Sequence, residues 1–212
     1  MYLPSHFEET RLDVLHHVIE QFPFGLLVTH FPHGLEANHL PFYLAPGEGE
    51  LGTLHAHVAR NNPVWQALAA GAEVLVVFRA GDAYITPTSY PSKAHDHRQV
   101  PTWNYRVVHA HGRAIVRDDA RYVRAVVAKL THRHEASQAT PWKMSDAPRD
   151  YLDAMTAAIV GLEIPIQRLE GKFKLGQNRT AQDREGAGQA LVAAGDGLIG
   201  PAMLGQRPGG DV

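Results

Sequence analysis

Cysteine is absent from all 212 residues, so disulfides, iron–sulfur ligation and thiol catalysis are excluded as functions of this chain. Long apolar runs are absent too, and no window approaches the ~18 residues needed to span a bilayer. The opening Met1-Tyr2-Leu3-Pro4-Ser5 lacks the basic stretch and apolar core of a signal peptide, so a cytoplasmic protein with no membrane partner is expected. An excess of either charge is missing: the net charge is -2, with no long basic run. A broad nucleic-acid face is therefore not visible, while a local basic patch in a dimer stays open. Serine is scarce, and none of Ser5, Ser89, Ser92, Ser137 and Ser145 sits in a Gly-x-Ser-x-Gly elbow. Walker, dinucleotide, zinc-finger and helix-turn-helix patterns are missing as well.

What is present describes an ordinary globular chain. It is 44% hydrophobic and 20% charged, and its length is enough for one sizeable core, or for one core plus a small addition. The 14 histidines are scattered, several as x-spaced pairs: His55 and His57, His95 and His97, His109 and His111, His132 and His134. On a strand each pair could turn both imidazoles to one side. None forms a His-Glu-x-x-His helix motif, and with no thiolate available a closed zinc site is not expected. Histidine is also a common haem axial ligand, but no residue here identifies such a site.

Hydrophobic spacing lays out the elements. A capping box at Ser5 and Glu8 leads into a helix with Leu12, Leu15, Ile19 and Phe22 on one stripe, ended by Pro23. Strands follow at 24–29, 35–40 and 51–58, separated by turns at Phe31-Pro32-His33-Gly34 and at 45–50. Asn62 and Pro63 open a short helix that ends at Gly71. Two further strands, 74–78 and 83–86, flank a turn at Gly81-Asp82. Residues 87–101 read as a long functional or mobile loop. A long strand follows at 103–116, with Gly112 as a bend, and a helix starts at Asp118 or Asp119. Residues 131–146 are irregular, Tyr151, Met155 and Ile159 form a helix stripe, 160–169 is a strand and 180–194 a last helix.

The expected fold class is mainly β with peripheral helices, the leading architecture being a closed antiparallel barrel that leaves no exposed edges. Residues 1–194 are expected as a single domain and 195–212 as a flexible Gly/Pro-rich tail, its last eight residues disordered.

Short polar islands interrupt the apolar strands and are the candidate binding residues. His55 and His57 share a strand face, and Arg60 and Asn61 follow at the turn into a helix, where an arginine beside backbone N–H groups suits a phosphate; a solvated turn is the bland alternative. Asn38, His39 and Pro41 end a strand, and the two polar side chains could read a heterocycle edge or simply satisfy a turn. Trp103 and Tyr105 share a face opposite Asn104, forming either a ligand wall or a dimer seam. Lys172 and Lys174 project to one side of Phe173, with Gln177, Asn178 and Arg179 beyond; a solvated edge strand is the alternative.

Ordered motifs along most of the chain resemble the PaiB-type FMN-binding negative transcriptional regulators, of the flavin-reductase-like split-barrel superfamily. They include Pro23-Phe24-Gly25, Asn38-His39-Leu40-Pro41, His57-Val58-Ala59-Arg60 with Asn62-Pro63, and Tyr84-Ile85 with Pro87. Val100-Pro101-Thr102-Trp103-Asn104-Tyr105, Gly171-Lys172-Phe173-Lys174, Gln177-Asn178-Arg179 and Asp183-Arg184 continue the match. Ala83 departs from the family, which usually has histidine there. The resemblance implies a split β-barrel homodimer with FMN at the subunit interface. It implies a phosphate seat at Arg60 with His57 and Asn61, and a ring environment at Asn38, His39 and Pro41. Trp103 and Asn104 would be the other wall, and Lys174 with Gln177 the closing polar contacts. It also implies a regulator, with a DNA contact that no recognisable reading motif supports. An FMN-dependent oxidoreductase acting on a small-molecule ligand and a haem-binding relative stay open beside it.

Overall fold

Alternating burial builds the strands of this computed structural model, which describes residues 1–31 and 33–205. Strand β2 (Phe24–Phe31) buries every second side chain, from Gly25 through Leu27 and Thr29 to Phe31, as a two-residue period requires. It pairs antiparallel with β3 (Gly34–Pro41), placing Leu27 opposite Asn38 and Phe24 opposite Pro41. The other strands are β1 (Glu8–Glu9), β4 (Tyr43–Ala45), β5 (Thr53–Ala59), β6 (Glu73–Ile85), β7 (Thr102–Arg113), β8 (Ile115–Arg117) and β9 (Ile159–Lys174). Their order is β3-β2-β6-β7-β9-β5-β4, with β1 and β8 each pairing with β9. Six α-helices accompany them among the described residues: α1 (Leu12–Gln21), α2 (Val64–Leu68), α3 (Ala120–Glu135), α4 (Arg149–Ala157), α5 (Ala181–Ala193) and α6 (Ile199–Met203).

The fold is therefore mixed α/β, which corrects the expectation of a mainly β chain. Helix α3 runs on through residues expected to be irregular, because Val123, Val126 and Leu130 bury one face while His132, Arg133 and His134 suit the negative helix end. Helix α6 lies where a tail was expected, with Ile199 and Met203 buried. The remainder of that tail, from 206 on, lies outside the described residues.

The chain divides into two compact units, with boundaries inside β6, β7 and β9. The first comprises Met1–Leu15, Arg79–Val108 and the described residues from Glu170 on. Its core gathers Ala83, Ile85, Tyr90, Ala187, Ile199 and Met203, with Leu175 and Leu191 packed against them. The expected Ser5 capping box does not form: Ser5–Phe7 is a 3-10 turn, and Glu8 and Glu9 pair with β9 before α1 begins. The expected break at Gly81 is likewise missing. Gly81 takes φ +93, open to glycine at no steric cost, and β6 passes through it unbroken. The long loop contains 3-10 turns at Pro87–Ser89 and Pro91–Ala94. Ser92 donates from its amide and hydroxyl to the Asp183 carboxylate at 2.9 and 2.8 Å, tying that loop to the start of α5.

The second unit comprises His16–Phe78 and His109–Leu169. Leu27, Phe42, Leu54, Val76, Phe78, Leu162 and Ile164 are all but fully buried there. Strand β5 pairs with β4 on one side and β9 on the other, setting His55 opposite Glu163 and His57 opposite Gly161. Asp119 caps α3 by accepting from the Tyr122 amide at 2.7 Å. The expected α4 stripe is reversed: Tyr151 and Met155 are exposed, and Thr156 is the buried member.

Candidate functional site

In the second unit, β5 delivers the candidate residues to a corner before α2. The Arg60 guanidinium donates from Nη1 and Nη2 to both Asp118 oxygens, at 2.9 and 2.6 Å. It also donates from Nε to Ala157 O at 2.8 Å and from Nη2 to Ile159 O at 3.2 Å. Its pKa is raised and that of Asp118 lowered by their shared hydrogen bonds. Arg60 is thus a positioned, half-exposed cation already facing a carboxylate. Asn61 is exposed in the turn.

The expected cradle of helix-start amides does not exist. Helix α2 has only five residues, and the Val64 amide is taken by Asn62 Oδ1 at 3.0 Å. Asn62, which sequence reasoning assigned only a capping role, also donates from Nδ2 to Asn38 Oδ1 at 2.8 Å. Asn38 is therefore joined to the corner that carries Arg60. His39 is exposed, its ring stacked at 6.0 Å on Phe24, and Pro41 is half-buried at the end of β3.

His57 differs from its neighbours. Its Nδ1 is buried and finds no hydrogen-bond partner among the described residues. Burial lowers the pKa of the ring and favours the neutral imidazole. An unpaired buried polar atom costs ~1–3 kcal/mol, and a ligand atom could remove that cost.

In the first unit, Trp103 is 53% exposed and meets Tyr84 edge-on at 5.7 Å. Asn104 points the other way, fully buried, donating to Met203 Sδ at 3.2 Å. This corrects its assignment to a ligand wall: the alternation that exposes Trp103 turns Asn104 inward. Gln177, exposed, folds back on its own turn, accepting from the Leu175 amide and donating to Phe173 O. Lys174 Nζ donates to Thr102 Oγ1 and Trp103 O. Burial lowers its pKa, aided by the positive charges of Lys172 and Arg179. Lys172 donates to Tyr2 O and lies over the Tyr2 and Tyr105 rings, while Arg179 lies over Tyr90.

Each unit therefore collects its own candidates: Asn38, Arg60 and His57 around β5 in one, Trp103 and Lys174 along β7 and β9 in the other. Sequence reasoning missed Asp118 as the partner of Arg60. A separation of 58 positions along the chain leaves no local signal.

No helix among the described residues is long and apolar enough to cross a membrane. The Emericella nidulans protein named "Uncharacterized protein AN0679" is 33% identical to this chain, over 88% of each. "Protease synthase and sporulation protein PAI 2" of Bacillus subtilis is 28% identical, over 86% of this chain and 85% of its own length. Among solved structures, the "FAD and Heme binding protein from Mycobacterium smegmatis" superposes with a TM-score of 0.56 at 18% identity, covering 91% of this chain and 82% of that one, a likeness of fold. The profile of the family described as "Putative FMN-binding domain" matches residues 1–168. The chain therefore belongs to that family.

Proposed function

We propose that this chain binds FMN through the β5 corner and acts as a flavin-dependent regulatory protein, as a homodimer. The observation that carries the reading is the unpaired, buried Nδ1 of His57 on β5, the strand that ends at Ala59, one residue before Arg60. Family membership supplies the flavin as the ligand class. Arg60 takes the phosphate as a charge-assisted pair. His57, kept neutral by burial, offers Nδ1 to a polar ligand atom, and Asn62 fixes Asn38 beside the corner. When bound, FMN supplies hydride or single-electron chemistry; the chain's own residues bind and orient it.

The regulator reading takes support from the name of the Bacillus subtilis relative, "Protease synthase and sporulation protein PAI 2", which places that protein in sporulation. The exposed Trp103 and Tyr84 suit a dimer seam, since aromatic rings bury large area there. The purified protein is expected to take up FMN with a flavin absorption spectrum. Arg60→Ala is expected to weaken FMN binding roughly tenfold or more; unchanged affinity removes Arg60 from the site. Operator DNA retained over competitor DNA at physiological salt supports regulation. Rapid bleaching of the bound flavin by reduced nicotinamide, without DNA binding, supports an oxidoreductase instead.

A further inference from the structure

Arg60 and Asp118 are held unequally. The Arg60 side chain is fixed by Ala157 O and Ile159 O, and its amide donates to Ala158 O at 2.8 Å. These are backbone carbonyls where α4 passes into β9, and they cannot swing away. Asp118 has Arg60 as its side-chain partner, lies on the short connection between β8 and α3, and is 48% exposed. The carboxylate that caps α3 belongs to Asp119, so Asp118 can rotate into water without undoing the helix. The guanidinium edge that grips its two oxygens is the edge that would grip two oxygens of a phosphate.

We infer that Asp118 is an internal competitor seated on the phosphate-binding edge of Arg60, displaced when a phosphorylated ligand binds. This rests on the assignment of Arg60 to the phosphate. Removing Asp118 leaves a guanidinium still oriented by backbone carbonyls, so little ordering cost remains for the ligand. Arg60 keeps the Asp118 carboxyl below its usual range, so the competitor stays charged at neutral pH. The chain thereby holds its own affinity for phosphate in check.

The test titrates the full chain with FMN and with riboflavin, which lacks the phosphate, following flavin fluorescence. Asp118→Asn removes the charge and keeps the shape. It is expected to tighten FMN roughly tenfold and leave riboflavin unchanged. The gain is expected to vanish in the Arg60→Ala background, because the two residues act on one contact. Asp118→Ser is the second variant should the Asn form fold poorly, with far-ultraviolet circular dichroism as the check. If Arg60→Ala weakens FMN but neither Asp118 variant tightens it, the competitor is refuted and the phosphate assignment stands. Equal tightening of FMN and riboflavin also refutes it. If Arg60→Ala leaves FMN affinity untouched, the assignment fails and the inference falls with it.

Discussion

Replacing Tyr122 with phenylalanine tests a buried clamp that binds α3 to the sheet of the second unit. His55 is 5% exposed, with Nδ1 2.7 Å from the Tyr122 hydroxyl and Nε2 2.8 Å from Glu48 Oε2. The same hydroxyl lies 3.1 Å from Leu162 O. A phenol has one proton, so it cannot donate to both Nδ1 and Leu162 O. Lys129 lies 4.9 Å over the Tyr43 ring and 4.0 Å from Glu48, and Arg117, paired with Glu163, lies 5.9 Å over Tyr122. Burial raises the Tyr122 pKa, so the phenol stays protonated across the working pH range. Tyr122→Phe keeps the ring packing, strands one buried nitrogen of His55 and removes a bond to Leu162 O. With ~1–3 kcal/mol for a stranded buried group and ~1 kcal/mol for a lost bond, a loss of about 2–4 kcal/mol is expected. For a chain of this size that is about 4–16 °C in Tm. Urea and thermal unfolding of the two proteins measure it. A change below about 0.5 kcal/mol, the scale of ordinary surface substitutions, would refute the clamp.

Three further outcomes follow from the geometry. Asp183→Asn is expected to destabilise at neutral pH and converge with wild type in acid. Burial would raise the Asp183 pKa, but hydrogen bonds from Ser92 and Thr180 overcome it and hold it low, so its contribution is present above the ordinary carboxylate range and lost as pH falls; parallel pH–stability curves would contradict this. For His57, burial holds the folded-state pKa below the unfolded value of ~6.5, so stability is lost as pH falls through that region. His57→Gln is expected to flatten that slope in unfolding measured from about pH 7 to about pH 5. Gly112→Ala would drive a Cβ into the backbone oxygen of Pro165 and bring it 2.9 Å from the Ile164 side chain at Cγ2. Loss of soluble folded protein, or of several kcal/mol in unfolding, is expected; a normal Tm would show that β7 and β9 can part there.

Periodicity located most strands because burial on one face leaves a two-residue trace in the chain, as in β2 and β7. The cap at Asp119 was readable for a similar reason: a side chain that accepts from an amide three residues on is a local interaction. Gly81 was misread, since glycine marks a turn in sequence yet here lets one strand pass through a positive φ. The exposed Tyr151 and Met155 show the opposite failure, because spacing places residues on one helix face without saying which face is buried.

Composition alone excluded thiol chemistry, and ordered motifs alone pointed to the family whose profile the chain matches; neither needs a fold, because both depend only on which residues are present and in what order. Tertiary structure decided what those residues are free to do. Asp118, Ala157 and Ile159 claim Arg60, Met203 receives Asn104, and His57 is left with a nitrogen unpaired. Each outcome joins segments distant along the chain, and hydrogen-bond satisfaction is settled only when burial brings such segments together.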